Sequence, residues 1–142
     1  RLSGGSMARA LELVGNEVFW EERRLAREYC RLLGTGDLWE SLDVATALGK
    51  SNNPGQMLDL MELWLRDLLV WQLSQSATLL INYDYAEEIA GQQYAPEKLK
   101  KALSELHLTR RRLRQNANKK LALEVMALKI SRELPVAREV TG

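Results

Sequence analysis

The sequence predicts an all-α fold, a bundle of helices in which no β-sheet takes part. Apolar residues recur every three or four positions along most of the 142 residues, which is the period of an amphipathic helix. Glycine, asparagine and proline interrupt this pattern where one helix would end and the next would be capped. Residues 79–83 have a strand-like composition, but the sequence offers no second strand to pair with them.

The composition is that of one globular domain, with or without a fragment of a second one. Hydrophobic residues make up 46% of the chain, enough for a core, and charged residues make up 27%. The 20 lysines and arginines are balanced by 19 acidic residues, so the formal charge is +1. This balance excludes a polycationic, histone-like binder but allows a local basic patch.

The counts of cysteine and histidine exclude several kinds of site. Cys30 and His107 are each alone of their type, which leaves no intramolecular disulfide, no cysteine-based zinc site and no histidine-rich metal site. We therefore expect no catalytic residue, no metal and no cofactor. No apolar run reaches the roughly 18 residues of a membrane span, and residues 1–5 resemble no export signal. We expect an intracellular, cytoplasmic chain that is a piece of a longer one.

The first three predicted helices follow from their end signals. Two lie at residues 6–13 and 16–34; Gly15 ends the first and Gly34-Thr35-Gly36 ends the second. The third lies at residues 37–48 and opens with a capping box. In this motif Asp37 accepts a hydrogen bond from a free amide, while Glu40 reaches back to the cap.

The fourth predicted helix begins at Asn53-Pro54, with a glutamine at its third position, and is the most apolar in the chain. We predict that it runs through the middle of the bundle. Its stripe of apolar residues comprises Met57, Leu60, Met61, Trp64, Leu68 and Trp71. Beyond it, we interpret residues 79–83 as the frayed helix end and a loop, and residues 86–92 as one or two helical turns.

Two more helices are predicted in the last third of the chain, one at residues 96–115 and a final one that Asn118 caps and Pro135 ends. The final helix carries apolar residues on two nearly opposite faces. One face has Leu121, Val125 and Leu128, and the other has Leu123, Met126, Ile130 and Leu134. A surface helix needs only one such stripe, so the second is either packed inside the domain or sealed against another subunit. The pattern leaves both alternatives open. Our interface candidates are Leu123, Met126, Ile130 and Leu134.

Three features that could carry chemistry have simpler interpretations. Gly49-Lys50-Ser51 matches the end of a phosphate-binding P-loop, but Val44 stands where its first glycine belongs and no strand precedes it. We therefore interpret it as a loop after a helix. His107 lies away from the leucine stripe of its helix, and we predict that it faces solvent. For Cys30 we predict a buried or half-buried side chain.

Lysines and arginines are concentrated between residues 98 and 120, where Glu105 is the only acid. They do not fall on one helical stripe, and no aromatic residue is interleaved to stack on bases. A solvated helix surface is the favoured interpretation, and Arg111 and Arg114 are the candidate DNA contacts in the alternative. Arg110 lies near the leucine stripe, so we predict a carboxylate or carbonyl partner for it.

The four tryptophans are mostly at the spacing of core residues. We predict that Trp20, Trp39, Trp64 and Trp71 pack within the domain. The alternative, for Trp20 or Trp39, is contact with a partner protein.

Residues 1–11, Arg-Leu-Ser-Gly-Gly-Ser-Met-Ala-Arg-Ala-Leu, resemble the sensor-2 segment that ends the helical lid of AAA+ clamp-loader subunits. The motor subunits of that family have a pattern like G-S-M-R-x-A-L, whose arginine contacts the phosphates of the bound nucleotide. Ala8 holds the place of that arginine in this chain, and Arg9 follows about 100° further round a helix. A shortened side chain there is similar to the delta-prime subunits of bacterial DNA polymerase III, which typically do not hydrolyse ATP.

Residues 110–124 resemble the closing motif L-x-x-N-x-N-x-x-L-x-L-E of clamp-loader collar domains. Together the two resemblances imply that residues 1–15 are the end of the AAA+ lid and residues 16–142 the C-terminal collar, or oligomerisation, domain. The implied role is non-catalytic: the collar helps hold a pentameric ring that loads the sliding clamp onto primed DNA. The implied partners are the delta and motor subunits of DNA polymerase III, without membrane contact.

Two other functions stay open at this point. One is a nucleic-acid-binding helical module that uses the basic residues 98–120. The other is the collar of an ATP-binding motor subunit, against which Ala8 argues.

Overall fold

The computed structural model describes residues 17–115 and 118–135, and these contain α-helices joined by short turns. Two 3-10 turns, at Ala77–Leu79 and Tyr83–Tyr85, lie in the longest connection. The described part contains no β-strand, which confirms the all-α prediction. Its helices are α1 (Glu17–Gly34), α2 (Leu38–Lys50), α3 (Pro54–Ser74), α4 (Ala86–Ala90), α5 (Pro96–Arg114) and α6 (Lys119–Glu133).

The predicted caps begin three of these helices. The side chains of Asp37, Asn53 and Asn118 each accept a hydrogen bond from the amide three residues later, over 2.9, 3.1 and 3.0 Å. The capping box at α2 is indirect. The Asp37 amide donates to Thr35 Oγ1 over 3.1 Å, and Glu40 Oε1 lies 3.3 Å from that hydroxyl. The threonine thus connects the two ends of the motif.

The long helices close into one bundle. Helix α3 packs between α1 and α5, α6 packs between α5 and α2, and α2 returns to contact α1. Most of one side of α3 is buried, as predicted for the central helix. Its fully or nearly fully buried apolar residues are Met57, Leu58, Leu60, Met61, Trp64, Leu65 and Leu68.

The connection from α3 to α4 differs from the prediction of a frayed end. Helix α3 stops at Ser74, where Gln75 adopts a left-handed conformation with φ of 56°. The chain then packs onto the bundle, and Leu80 and Asn82 are only 3% and 4% exposed. A buried carboxylate on α3, described below, fixes this segment. The turn predicted within residues 86–92 is α4.

The two apolar faces of α6 have different surroundings. Our interface candidates, Leu123, Met126, Ile130 and Leu134, are 0%, 0%, 0% and 1% exposed, so they belong to the core of this chain. Helices α2 and α5 cover that side of α6, and Leu123 lies against Gly49 of α2. The prediction that these four residues meet another subunit is therefore wrong. The opposite face is the outer one, with Leu121 56% exposed.

The predicted lid segment, residues 1–15, lies outside the described residues, and so does Ala8. Among the helices that the structure describes, none combines the length and the apolar character needed to span a membrane.

Candidate functional site

The outer surface of α2 and α6 exposes large apolar side chains. Trp39 is 74% exposed and Leu38 is 52% exposed, both in the first turn of α2. The buried residues of α2 lie on the other side of the helix, and Leu48 is half a turn round from Trp39. The prediction that Trp39 packs within the domain is therefore wrong, whereas Trp64 is buried as predicted.

Helices α2 and α6 run antiparallel. Gly36, before α2, lies against Pro135, after α6, while Lys50 and Lys119 line one hollow at the opposite end of the pair. These two packed helices carry the exposed and half-buried apolar residues that form this outer surface. We call this surface the α2–α6 face; it comprises Leu38, Trp39, Leu42, Leu121, Val125 and Leu128.

A second set of exposed apolar residues lies elsewhere on the bundle. Leu73 and Leu79, near the end of α3, are 64% and 51% exposed. On α1, Trp20 is 43% exposed, and the Arg23 guanidinium lies 5.5 Å from its ring centroid. Trp20 therefore has an intramolecular cation–π partner.

A buried polar network, which the sequence analysis missed, holds the connection between α3 and α4. Asp67 is completely buried and accepts hydrogen bonds from the Ile81 amide at 2.9 Å and the Asn82 amide at 2.6 Å. It also accepts one from Asn82 Nδ2 at 2.9 Å, and its other partner is Arg66 at 2.9 Å. The carboxylate thus accepts the hydrogen bonds of backbone amides that have no helical partner after the chain leaves α3.

The same network reaches α1 through Arg23, which is 7% exposed. Its Nε and Nη2 donate to Asn82 Oδ1 over 3.2 and 2.9 Å, and its guanidinium makes a bidentate pair with Asp84. Tyr85 packs beneath it, with the Arg23 and Arg27 guanidinium carbons 4.8 and 4.6 Å from the ring centroid. Arg23, Asn82, Asp84 and Asp67 are hydrogen-bonded to one another, so the cluster is a structural tie between α1, α3 and the connection.

Arg110 and His107, two residues that the sequence singled out, each lie against a carboxylate of α3. Arg110 pairs with Asp59 of α3, which confirms the predicted carboxylate partner. His107 is exposed, as predicted, and its Nε2 lies 3.1 Å from Glu62 Oε2.

Cys30 is buried in the core, 2% exposed, and burial raises the pKa of its thiol far above the ordinary value. A thiol in this state is not a nucleophile at neutral pH. In the described ranges, no three His, Cys, Asp or Glu side chains are grouped so that they could hold a metal ion. Gly49 and Lys50 are the last residues of α2 and Ser51 caps it, so the helix extends two residues beyond the predicted end and the loop begins only after Lys50.

The basic residues of the sequence cluster divide into two groups. Those at the start of α5 are engaged: Lys98 donates to the Pro135 carbonyl over 2.8 Å, and Lys100 and Lys101 pair with Glu97 and Glu133. Apart from Arg110, which pairs with Asp59, those at the end of α5 and the start of α6 have no carboxylate within ion-pair distance among the described residues. This second group includes Arg111 and Arg114, the candidate DNA contacts, both of which are exposed.

Comparison with known proteins identifies the family. The family model described as DNA polymerase III, delta subunit, C terminal, matches residues 19–132, which is most of the chain. No curated protein and no solved structure matches significantly. The matched range begins in the first turn of α1 and ends in the last turn of α6, so it contains nearly all of the described bundle. The chain therefore belongs to the clamp-loader family formed by the C-terminal domains of DNA polymerase III delta subunits.

Proposed function

We propose that this chain is the non-catalytic assembly domain, or collar, of a delta-prime-type subunit in a cytoplasmic clamp loader. In this role it helps hold a pentameric ring of subunits that places the sliding clamp on primed DNA. The observation that carries the proposal is the match of nearly the whole bundle to the family of delta C-terminal domains. The partners are the delta subunit and the motor subunits, and the parent is a subunit of DNA polymerase III.

The α2–α6 face is the surface that we propose for a neighbouring subunit. A stable protein interface has an apolar centre with aromatic anchors, and Trp39 with Leu38 supplies such an anchor at one end of the face. Leu121 extends the apolar surface at the other end. Contacts in a ring of different subunits are heterologous, so each collar needs a surface outside its own core. The outer stripe of α6 meets this need, whereas the buried stripe, with Leu123 and Ile130, does not.

The delta-prime assignment rests on the N-terminal resemblance, in which Ala8 replaces the sensor-2 arginine. It can be separated from a delta assignment by reconstitution. The 142-residue chain is mixed with motor subunits and delta, or with motor subunits and delta-prime, and each mixture is analysed by light scattering on a sizing column. We expect the chain to join the complex that lacks delta-prime. Joining only the complex that lacks delta would assign the chain to delta instead.

The interface is tested by substitution of exposed residues. Trp39→Gln and Leu121→Gln should each weaken association, and loss of an aromatic anchor typically lowers affinity by about 30-fold. Leu73→Gln is the matched control, because Leu73 is 64% exposed and also lies in a helix, but away from the α2–α6 face. Equal weakening by all three substitutions, or by none, would contradict the proposed surface.

A further inference from the structure

One end of the bundle carries six basic side chains that pair with no carboxylate among the described residues. These are Lys50, Arg111, Arg112, Arg114, Lys119 and Lys120, and we call this surface the basic end. Five of the six are exposed, and Arg112 is half-buried. By contrast, all four arginines of α1, including Arg24 and Arg31, are ion-paired.

The fold brings these residues together from three helices. Arg114 ends α5 and Lys119 begins α6, and the two helices pack side by side after a connection of four residues. Lys50 comes from the end of α2 and lines the same hollow, of about 220 Å³, as Lys119 and Lys120. Glu124 also lines this hollow, but none of the three lysines pairs with it. Asp59 and Glu62 of α3 pair instead with Arg110 and His107 of α5.

The lysines at the start of α6 are not explained by helix stability. The first turn of α6 contains Lys119 and Lys120 and no acidic residue. Cations at a helix N-terminus oppose the helix macrodipole, so this position disfavours them in the isolated chain. Residues that oppose the stability of the helix in which they lie are typical of a binding site. An anion placed here would meet both the lysines and the free amides of the helix.

We propose that the basic end binds the phosphodiester backbone of a nucleic-acid duplex without reading its sequence. Six cations across three helix ends match an array of regularly spaced phosphates better than a single anion. The surroundings favour backbone contact over base contact, because no aromatic residue lies within residues 98–120 or 45–57 to stack on an unpaired base. This activity is independent of the assembly role, since it uses a different surface and a different ligand.

The test is fluorescence anisotropy with the 142-residue chain and a labelled 20-base-pair DNA duplex between 50 and 200 mM salt. If six phosphates are contacted, the affinity falls about 1,000-fold over this range, because each contact adds about 0.9 to the slope of log affinity against log salt. The double substitution Lys119→Gln with Lys120→Gln should lower that slope by about 2. It removes cations from a helix N-terminus, so circular dichroism should show an intact fold.

The matched control is Lys129→Gln with Arg132→Gln, on the same helix and with the same change in charge. Both side chains are exposed and have no carboxylate partner in the described ranges, but they lie towards the other end of α6. We expect this variant to keep the salt slope of the parent chain. Three results would overturn the proposal: no salt-dependent binding at 50 mM, equal losses in the two variants, or competition by poly-glutamate as strong as by unlabelled duplex. The last result would indicate an acidic protein partner.

Discussion

Replacing Asp67 with alanine should destabilise the bundle far more than its position in one helix suggests. The wild-type carboxylate is fully buried and accepts hydrogen bonds from Ile81 and Asn82. It is the link between α3 and the segment that leads to α4, and Asn82 extends that link to Arg23 of α1. The substitution leaves the donors without acceptors and a space behind them.

The magnitude follows from the groups left unpaired. Each buried donor that loses its acceptor costs about 1–3 kcal/mol, and breaking a buried charge interaction costs about 3–5 kcal/mol in all. Arg66 reduces the total, because its side chain is 42% exposed and can return to water. We therefore expect a loss of about 3–5 kcal/mol from the free energy of unfolding. That is a large share of the roughly 5–15 kcal/mol that stabilises a typical domain.

Urea denaturation followed by circular dichroism measures this loss, and hydrogen exchange at the Ile81 and Asn82 amides shows where it arises. Asp43→Ala is the control, because Asp43 is an exposed aspartate within α2 and should change stability by less than about 0.5 kcal/mol. If Asp67→Ala costs no more than about 1 kcal/mol, the carboxylate does not hold the connection and the reasoning fails.

Three further substitutions or treatments test the assignments of core, turn and thiol. Leu123→Ala should cost about 2–5 kcal/mol in urea denaturation, whereas Leu121→Ala, at the exposed face of the same helix, should cost under about 1 kcal/mol; similar losses would contradict the burial. Gly36→Ala should lower the melting temperature, because φ is 78° and a Cβ there would lie 3.0 Å from Pro135; an unchanged melting temperature would refute the strain. The pKa of the Cys30 thiol is higher in the folded than in the unfolded chain, so stability should fall as pH rises above the unfolded pKa of about 8.5, and Cys30→Ala should reduce that fall.

The helix boundaries could be predicted from the sequence because their signals are local. Asp37, Asn53 and Asn118 each cap the helix that follows them through an amide three residues away. Such contacts need no knowledge of the rest of the fold. For contacts between helices, the sequence predicted only the chemical type of the partner and not the residue that supplies it. The position of Arg110 near an apolar stripe required a carboxylate, but only the packing of α3 against α5 makes it Asp59.

The faces of α6 could not be assigned from the sequence, because both carry enough apolar residues to pack. The assignment depends on the neighbours of the helix, and α2 and α5 together cover the side with Leu123. The network around Asp67 was missed for a similar reason, since its hydrogen-bond partners lie 14 and 15 residues further along the chain. One signal was present. An aspartate on the buried side of the most apolar helix needs partners, and a short segment rich in polar groups follows that helix.

The two proposed surfaces meet at the first turn of α6, where Lys120 precedes Leu121, yet their physical chemistry keeps their functions separable. Burial of apolar side chains such as Trp39 depends weakly on salt, whereas phosphate contact weakens steeply as salt rises. Association with other subunits should therefore persist at 200 mM salt, at which duplex binding is largely lost. Substitution at Trp39 should change only the association with other subunits, and substitution at Lys119 should change mainly the binding of duplex. A variant that reversed this division would show that one surface serves both ligands.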